Sequence, residues 1–262
     1  MSQGAAPPIA LPGAVAIVTG GSKGIGRAIA ETLARAGCAV TACARTPPEN
    51  ALAEGVTFAA CDVRDPEQAR RLVDEVTARC GRLDILVNNA GGSPESDAAT
   101  ASPRFSEAIV KLNLLGPLYM AQAAHGAMAA QGGGAIVNIA SVSGARPSPG
   151  TAVYGAAKAG LLSLTQSLAQ EWGPAGIRVN AIVVGLVETE TAAHTYGSAA
   201  SIEAIGRSLP LGRMGRGEDV ADAVLFLCSP LARYVSGARL QVDGGGERPF
   251  FLELVRGAEK WA

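Results

Sequence analysis

The run Ala14-Val15-Ala16-Ile17-Val18-Thr19-Gly20-Gly21-Ser22-Lys23-Gly24-Ile25-Gly26 decides the fold. Its first six residues form an unbroken, mostly apolar segment, short enough for a strand buried on both faces. From Gly24 to Gly37 apolar residues return at helical spacing. Between strand and helix lies a GxxxGxG loop, Gly20 to Gly26. Glycines there let the backbone turn sharply and approach a pyrophosphate, which would rest on the unpaired N–H groups of the helix start. A glycine-rich loop also serves as a plain turn, but its place directly after a buried strand and opening a helix favours the phosphate cradle.

The alternation continues outward from this unit. Strands are predicted at Ala39–Ala44, Val56–Cys61, Leu83–Val87, Ala135–Ala140, Ile177–Val183 and Arg239–Val242. Helices are predicted at Pro66–Cys80, Pro103–Ala130 as one long element, Thr151–Trp172 and Glu218–Cys228. Such alternation requires right-handed crossovers and gives an α/β fold, a Rossmann-type doubly wound parallel sheet with helices on both faces. The organisation predicted is an N-terminal arm (1–12), a single domain (13–246) and a C-terminal extension (247–262).

Composition agrees with this reading and excludes others. In 262 residues, 48% are hydrophobic and 17% charged, enough for a core and too apolar for a disordered chain. Aromatics are only 4% beside 33 glycines, which suggests helices packed closely on the sheet through small residues. A net charge of -1 offers no electrostatic case for nucleic acid or an anionic membrane. Five cysteines without a CxxC pair indicate neither a disulfide framework nor a zinc site. With no basic leader segment and no run of eighteen apolar residues, the expectation is a soluble cytoplasmic protein.

The chemistry is carried by Tyr154-Gly155-Ala156-Ala157-Lys158. Residues four apart share one face of a helix, so a phenol and an ammonium stand side by side. A nearby cation stabilises phenolate and draws the tyrosine pKa toward neutrality, which makes it a usable proton donor. Ser141 ends the apolar run Ala135–Ala140, where a buried strand opens onto a crevice, and Asn113 interrupts a helical apolar stretch. With Asn113, Ser141, Tyr154 and Lys158 in this order, the chain resembles the short-chain dehydrogenase/reductase family over about Gly13 to Gly245. The resemblance implies a carbonyl reductase or alcohol dehydrogenase using a nicotinamide cofactor. Tyr154 would be the general acid and Ser141 would orient the carbonyl. Lys158 would lower the tyrosine pKa and hold the nicotinamide ribose, and Asn113 would hold a water linking Lys158 to solvent.

The resemblance also implies a cofactor site at Gly20, Ser22, Lys23, Gly24, Ile25 and Gly26, continuing through Arg45, Asp62, Val63, Asn89, Ala90 and Gly91 to Gly185, Val187 and Thr189. Asp62 and Val63 would read the adenine, although an Asp there also suits a helix cap. Asn88 and Asn89 would brace the cofactor floor. Where the family has a proline before Gly185, this chain has Val184, which frees the backbone of that turn. At the end of the second strand Ala44-Arg45 replaces the acid that would bind a ribose 2′-OH. Arg45 and Lys23 therefore read either as a 2′-phosphate clamp, making NADP preferred over NAD, or as two solvated cations.

A segment of about 186–215 would form a lid over a small-molecule carbonyl or alcohol substrate. Its His194 lacks a visible metal or triad partner and reads as a surface residue. Gly92, Ser93, Val142, Ser143, Arg146 and Pro147 would line the substrate pocket. Stretches 126–135 and 171–176 hold no Lys or Arg, which argues against an acidic carrier protein as partner. The helix of Tyr154 carries small and apolar residues fit for the family's homotetramer, and Phe250-Phe251-Leu252 would pack on a neighbouring subunit. A non-catalytic protein that senses NADP, or a scaffold, is the alternative reading of the same motifs.

Overall fold

The computed structural model describes residues 9–190 and 192–249. Strand β1 (Val15–Thr19) is buried along its whole length. A parallel strand covered by helices on both faces has no wet side, which is why the segment carries no charge. β1 pairs in parallel with β2 (Ala39–Ala44), in register Val15 to Ala39, and with β4 (Ile85–Asn88), in register Ala16 to Ile85. With β3 (Val56–Ala60), β5 (Gly134–Ser141), β6 (Ile177–Val184) and β7 (Arg239–Val242) they form a seven-stranded sheet, order β3-β2-β1-β4-β5-β6-β7, parallel throughout. The chain builds outward from β1 to β3, returns to the centre, and then builds the other way. Connections diverge above the carboxyl ends of β1 and β4, and a crevice must open there.

Side chains alternate between two cores. Ala16 and Val18 face helices α1 (Gly24–Arg35) and α8 (Gly217–Cys228), where they meet Ile29, Leu33, Val220 and Val224. Val15 and Ile17 face the other layer and pack with Leu72, Val76, Met120 and Met128, from α2 (Pro66–Cys80) and α4 (Gly116–Ala130). The long α5 (Ala152–Trp172) adds Leu168 to this layer and Leu162 to a small cluster with Ala181 and Val183. Full burial of each large aliphatic side chain is worth about 1.5–3 kcal/mol, so alternation along the central strands holds both layers on the sheet.

Several boundaries differ from the sequence reading. The predicted helix Pro103–Ala130 is three elements: α3 (Pro103–Val110), a π turn (Lys111–Leu115) and α4. In the π turn the ladder shifts by one residue, as the Gly116 N–H to Lys111 carbonyl bond shows; such bulges recur at functional sites. The fourth strand runs to Asn88 and omits Leu83, which is buried just ahead of it. Ahead of Gly13, Leu11 is buried in the α1 core, and its N–H meets the Ala36 carbonyl at 2.7 Å. Segment 186–215 holds two helices, α6 (Ala192–Tyr196) and α7 (Ala199–Ser208), and its ends are joined by a bridge between Val187 and Gly215. Leu161 and Leu168 of α5 are buried within the chain, so its outward stripe is the smaller set Ala152, Ala156 and Ala159. The Phe250-Phe251-Leu252 segment lies outside the described residues. Among the described residues no helix is long and apolar enough to cross a membrane, and all five cysteines are free.

Candidate active site

A cleft of about 690 Å³ opens above the carboxyl ends of the central strands. The glycine loop, with Gly20, Ser22, Lys23, Gly24, Ile25 and Gly26, lines it together with Arg45, Asp62, Val63, Asn89, Ala90 and Gly91. Ser141, Tyr154, Lys158, Gly185, Val187 and Thr189 line the same cleft. Asn113 does not: it is fully buried, behind the wall. Of the residues expected around a substrate, Gly92, Ser93, Val142, Ser143 and Arg146 line the cleft, and Pro147 does not.

Backbone proximity explains the loop's composition. Gly20 sits at φ +64, and a Cβ on Gly26 would lie 2.2 Å from the Gly20 carbonyl oxygen and 2.3 Å from Asn89 Nδ2. Any side chain there would push the loop off the sheet. Asn89 Nδ2 donates to the Thr19 carbonyl at 2.9 Å, while Thr19 Oγ1 accepts from the N–H groups of Asn89 and Ala90 at 2.9 and 3.0 Å. These bonds lock the ends of β1 and β4 into one floor. At the start of α1 the Gly24 N–H donates to Glu190 Oε1 at 2.7 Å. The helix N-terminus thus already holds an anionic oxygen, and the cradle fits the diphosphate of a dinucleotide by the same donor chemistry.

Lys23 and Arg45 are exposed at the rim of the cleft, and among the described residues neither makes an ion pair. Asp62 is held by Arg64, with Nε to Oδ1 at 2.9 Å and Nη2 to Oδ2 at 2.6 Å. That guanidinium, helped by the Arg64 N–H, keeps the Asp62 carboxyl below the usual carboxylate range despite partial burial. Asp62 is not a helix cap. Asp65 caps α2, accepting from the N–H groups of Glu67 and Gln68.

At the other end of the cleft, Lys158 is buried and its Nζ donates to the Ile139 carbonyl at 2.7 Å. Loss of water lowers its pKa from 10.5 to about 8. Its Nζ lies 5.7 Å from the centre of the Tyr154 ring. The tyrosine departs from the sequence expectation. Burial raises its pKa, the Tyr196 phenol raises it further, and the lowering influence is a hydrogen bond with Ser141 rather than Lys158. Ser141 Oγ is itself fixed by the Ser143 N–H at 3.2 Å. Asn113, on the π turn, clamps Gly92 from both sides: Oδ1 accepts from its N–H at 2.9 Å and Nδ2 donates to its carbonyl at 3.0 Å. Nδ2 also serves the Ile109 carbonyl, one turn back, at 3.0 Å. A Cβ on Gly91 would stand 2.7 Å from Asn113 Oδ1 and 3.1 Å from Lys158 Nζ, so both polar atoms close on that one backbone position.

Three features escaped the sequence reading. Glu190 and Tyr196, from the 186–215 segment, both line the cleft, and the Tyr196 hydroxyl is hydrogen-bonded by the Val187 backbone amide. Arg146 pairs with Glu247, 101 positions further along the chain. No local pattern marks Glu190, Tyr196 or the pairing of Arg146 with Glu247, because each of these arises by long-range packing. The side chain of His194 lies outside the described residues.

A family model described as enoyl-(acyl carrier protein) reductase matches residues 20–247. The chain is 38% identical over 247 residues to a 3-oxoacyl-acyl-carrier-protein reductase of Aquifex aeolicus, covering 90% of this chain and 98% of that one. It is 39% identical over 243 residues to the 4-formylbenzenesulfonate dehydrogenase of Comamonas testosteroni, covering 88% and 96%. A solved structure from Burkholderia xenovorans, assigned to the short-chain dehydrogenases/reductases, superposes with a TM-score of 0.84 at 38% identity, covering 90% of this chain and 97% of that one. With this breadth of match over the cleft and sheet just described, the chain belongs to the short-chain dehydrogenase/reductase family of oxidoreductases.

Proposed function

We propose that the protein is an NADPH-dependent reductase of a small-molecule ketone or related carbonyl compound, with Asn113, Ser141, Tyr154 and Lys158 as its working set. The observation that carries this reading is that Ser141, Tyr154 and buried Lys158, its Nζ 5.7 Å from the centre of the Tyr154 ring, line the same cleft as the glycine cradle. The nicotinamide cofactor, when bound, supplies the hydride. Glycine-loop amides and the α1 start would hold its diphosphate, and Asn89, Ala90, Gly91, Gly185, Val187 and Thr189, which line the same cleft, would hold the rest of it. Asp62 and Val63 border the adenine. Lys23 and Arg45 would take the 2′-phosphate, Arg45 by its planar fork and Lys23 as a point charge.

The protein's own part in the chemistry is a proton. A phenol is protonated at neutral pH and burial raises the Tyr154 pKa further, so it stands as an acid, giving its proton to the carbonyl oxygen as negative charge gathers there. Ser141 donates a second hydrogen bond to that oxygen and orients it. The Lys158 ammonium, in surroundings of low polarity, stabilises the phenolate that remains. Asn113 holds Gly92 and keeps this wall against Lys158. Segment 186–215 acts as the lid, and closing it excludes water from the reacting atoms.

The same reading makes the protein a cytoplasmic homotetramer. Five free thiols suit a reducing compartment, and the small outward stripe of α5 suits close helix pairing between subunits. Turnover of NADPH against a panel of 3-oxoacyl thioesters, cyclic ketones and polyol-derived ketoses tests the assignment. Activity on one class that disappears in Tyr154→Phe is the expected result. Binding of NADPH without turnover of any class by the wild-type protein would overturn it.

A further inference from the structure

Among the described residues the cofactor end of the cleft has two rim cations, Lys23 and Arg45, and the catalytic end has one, Arg146. It lies in the turn that follows Ser141, and its N–H bonds the Val142 carbonyl at 3.0 Å, so its backbone is fixed relative to the catalytic strand. Apart from Lys158, whose ammonium is turned to the Ile139 carbonyl, the other described residues lining that half of the cleft, Ser93, Val142, Ser143, Leu186 and Tyr196 among them, are uncharged; Asp243 lies in the smaller cavity that Arg146 also lines. The guanidinium spends two N–H groups, one on the Pro147 carbonyl and one on Glu247. Among the described residues the rest of its planar donor set has no partner.

Glu247 is the partner that makes the arrangement informative. Both side chains of the pair are 40% exposed, and ion pairs of such exposure contribute little to stability. Glu247 also follows Gly244, Gly245 and Gly246, each at positive φ (66, 96 and 77), a stretch that few other residues would tolerate. Behind the pair lies a second cavity of about 190 Å³ that shares Val142, Arg146, Gly185 and Leu186 with the main cleft and is bounded by Glu247. A weakly held carboxylate thus occupies a guanidinium that lines two neighbouring cavities. A substrate carboxylate or sulfonate would displace it like for like and gain a planar, bidentate geometry.

We propose that Arg146 is the anchor for an anionic group on the substrate, with Glu247 as its displaceable stand-in, so that the protein works on carbonyl compounds bearing a carboxylate or sulfonate. This rests on the reading of the cleft as a carbonyl reductase site and names its substrate class. The test compares charged and neutral versions of the same ketone, 4-acetylbenzoate with its methyl ester and acetoacetate with its ethyl ester. The wild-type protein should favour the acids in kcat/KM by about tenfold, the contribution of one charge-assisted hydrogen bond. In Arg146→Met the acid-to-ester ratio should fall to near one, mainly through KM, and in Glu247→Gln it should rise roughly threefold as an exposed competitor is removed.

Calorimetric titration of 4-acetylbenzoate, with NADP+ saturating so that Lys23 and Arg45 are covered, supplies a readout independent of turnover. Its affinity should drop about tenfold in Arg146→Met. Turnover without charge preference, or equal binding of 4-acetylbenzoate by wild-type and Arg146→Met proteins, overturns the anchor and leaves the reductase reading intact. Arg146-dependent binding without turnover of any probe does the opposite: it supports the anchor and removes the reductase reading.

Discussion

The two ends of the cleft are built on opposite electrostatic terms. At the catalytic end Lys158 and Asn113 are inside the protein, and Tyr154 is largely withdrawn from water. Charge there is expensive, and burial moves the titration of both Lys158 and Tyr154. At the rim by the glycine loop Lys23 and Arg45 are exposed, where water and salt screen them. Titration is thus shifted by desolvation at the floor, whereas the charges at the edge stay exposed and, among the described residues, outside any ion pair.

Removing the phenol breaks the first half of this comparison most severely. Tyr154→Phe should lower kcat by about 10²- to 10⁴-fold, the range expected for a lost general acid, while the NADPH dissociation constant moves by less than about threefold, within roughly 0.6 kcal/mol. A variant that kept more than a tenth of wild-type kcat would end the assignment of Tyr154 as proton donor.

Lys158 offers the next largest effect and a test of sign. Its pKa is 10.5 unfolded and about 8 folded, so below about pH 8 both states carry the charge and the folded state bears the full cost. Between about 8 and 10.5 the folded protein sheds the proton first, and the cost is relieved as pH rises. The shift corresponds to roughly 3 kcal/mol as an upper bound. Lys158→Met should therefore raise the unfolding free energy at pH 7 by about 1–3 kcal/mol while removing activity, and the gain should shrink by pH 10. In the wild-type protein, kcat/KM for NADPH should decline as pH rises through about 8, when the ammonium beside Tyr154 is lost. Denaturant titration at both pH values, with a pH–rate profile, checks the pair of statements. Equal stability of variant and parent at pH 7 would mean that the bond to Ile139 cancels the desolvation cost.

Rim changes should be milder and confined to selectivity. Ala44→Asp with Arg45→Val is expected to move the NADPH/NADH preference by about tenfold to a hundredfold toward NADH, the range for losing a charge-assisted contact and adding repulsion. The wild-type preference for NADPH should weaken with salt. Parallel titrations in low and high salt measure both, and a preference indifferent to salt would remove Arg45 and Lys23 from cofactor choice. The smallest expected effect concerns partners. With no Lys or Arg in 126–135 or 171–176, an acyl-carrier-protein thioester should show no more than about a twofold advantage over the coenzyme A thioester, since no complementary charge steers it. A large advantage for the carrier-bound form would place a docking surface elsewhere.

What could be read directly from the chain was what local chemistry dictates. The apolar run Val15–Thr19 is a buried central strand, because only such a segment suits a sheet covered on both faces. The Gly20–Gly26 spacing implied a close backbone approach, and the 2.2 Å from a Gly26 Cβ to the Gly20 carbonyl gives the steric reason. The four-residue spacing of Tyr154 and Lys158 placed them on one face of α5, since 3.6 residues make a turn. Other properties arose only when distant segments met. The π turn at Asn113 was invisible because its benefit, the clamp on Gly92 and the Ile109 carbonyl, joins β4's loop to a helix. The rise in the Tyr154 pKa comes from burial under the sheet's end and the approach of Tyr196, neither of which is written into the helix that carries it. Glu190 on the Gly24 amide and Glu247 on Arg146 bridge 166 and 101 positions. Spacing and periodicity report the backbone geometry of one element at a time, whereas desolvation and long-range ion pairing are properties of assembled volume, and only the tertiary fold creates that volume.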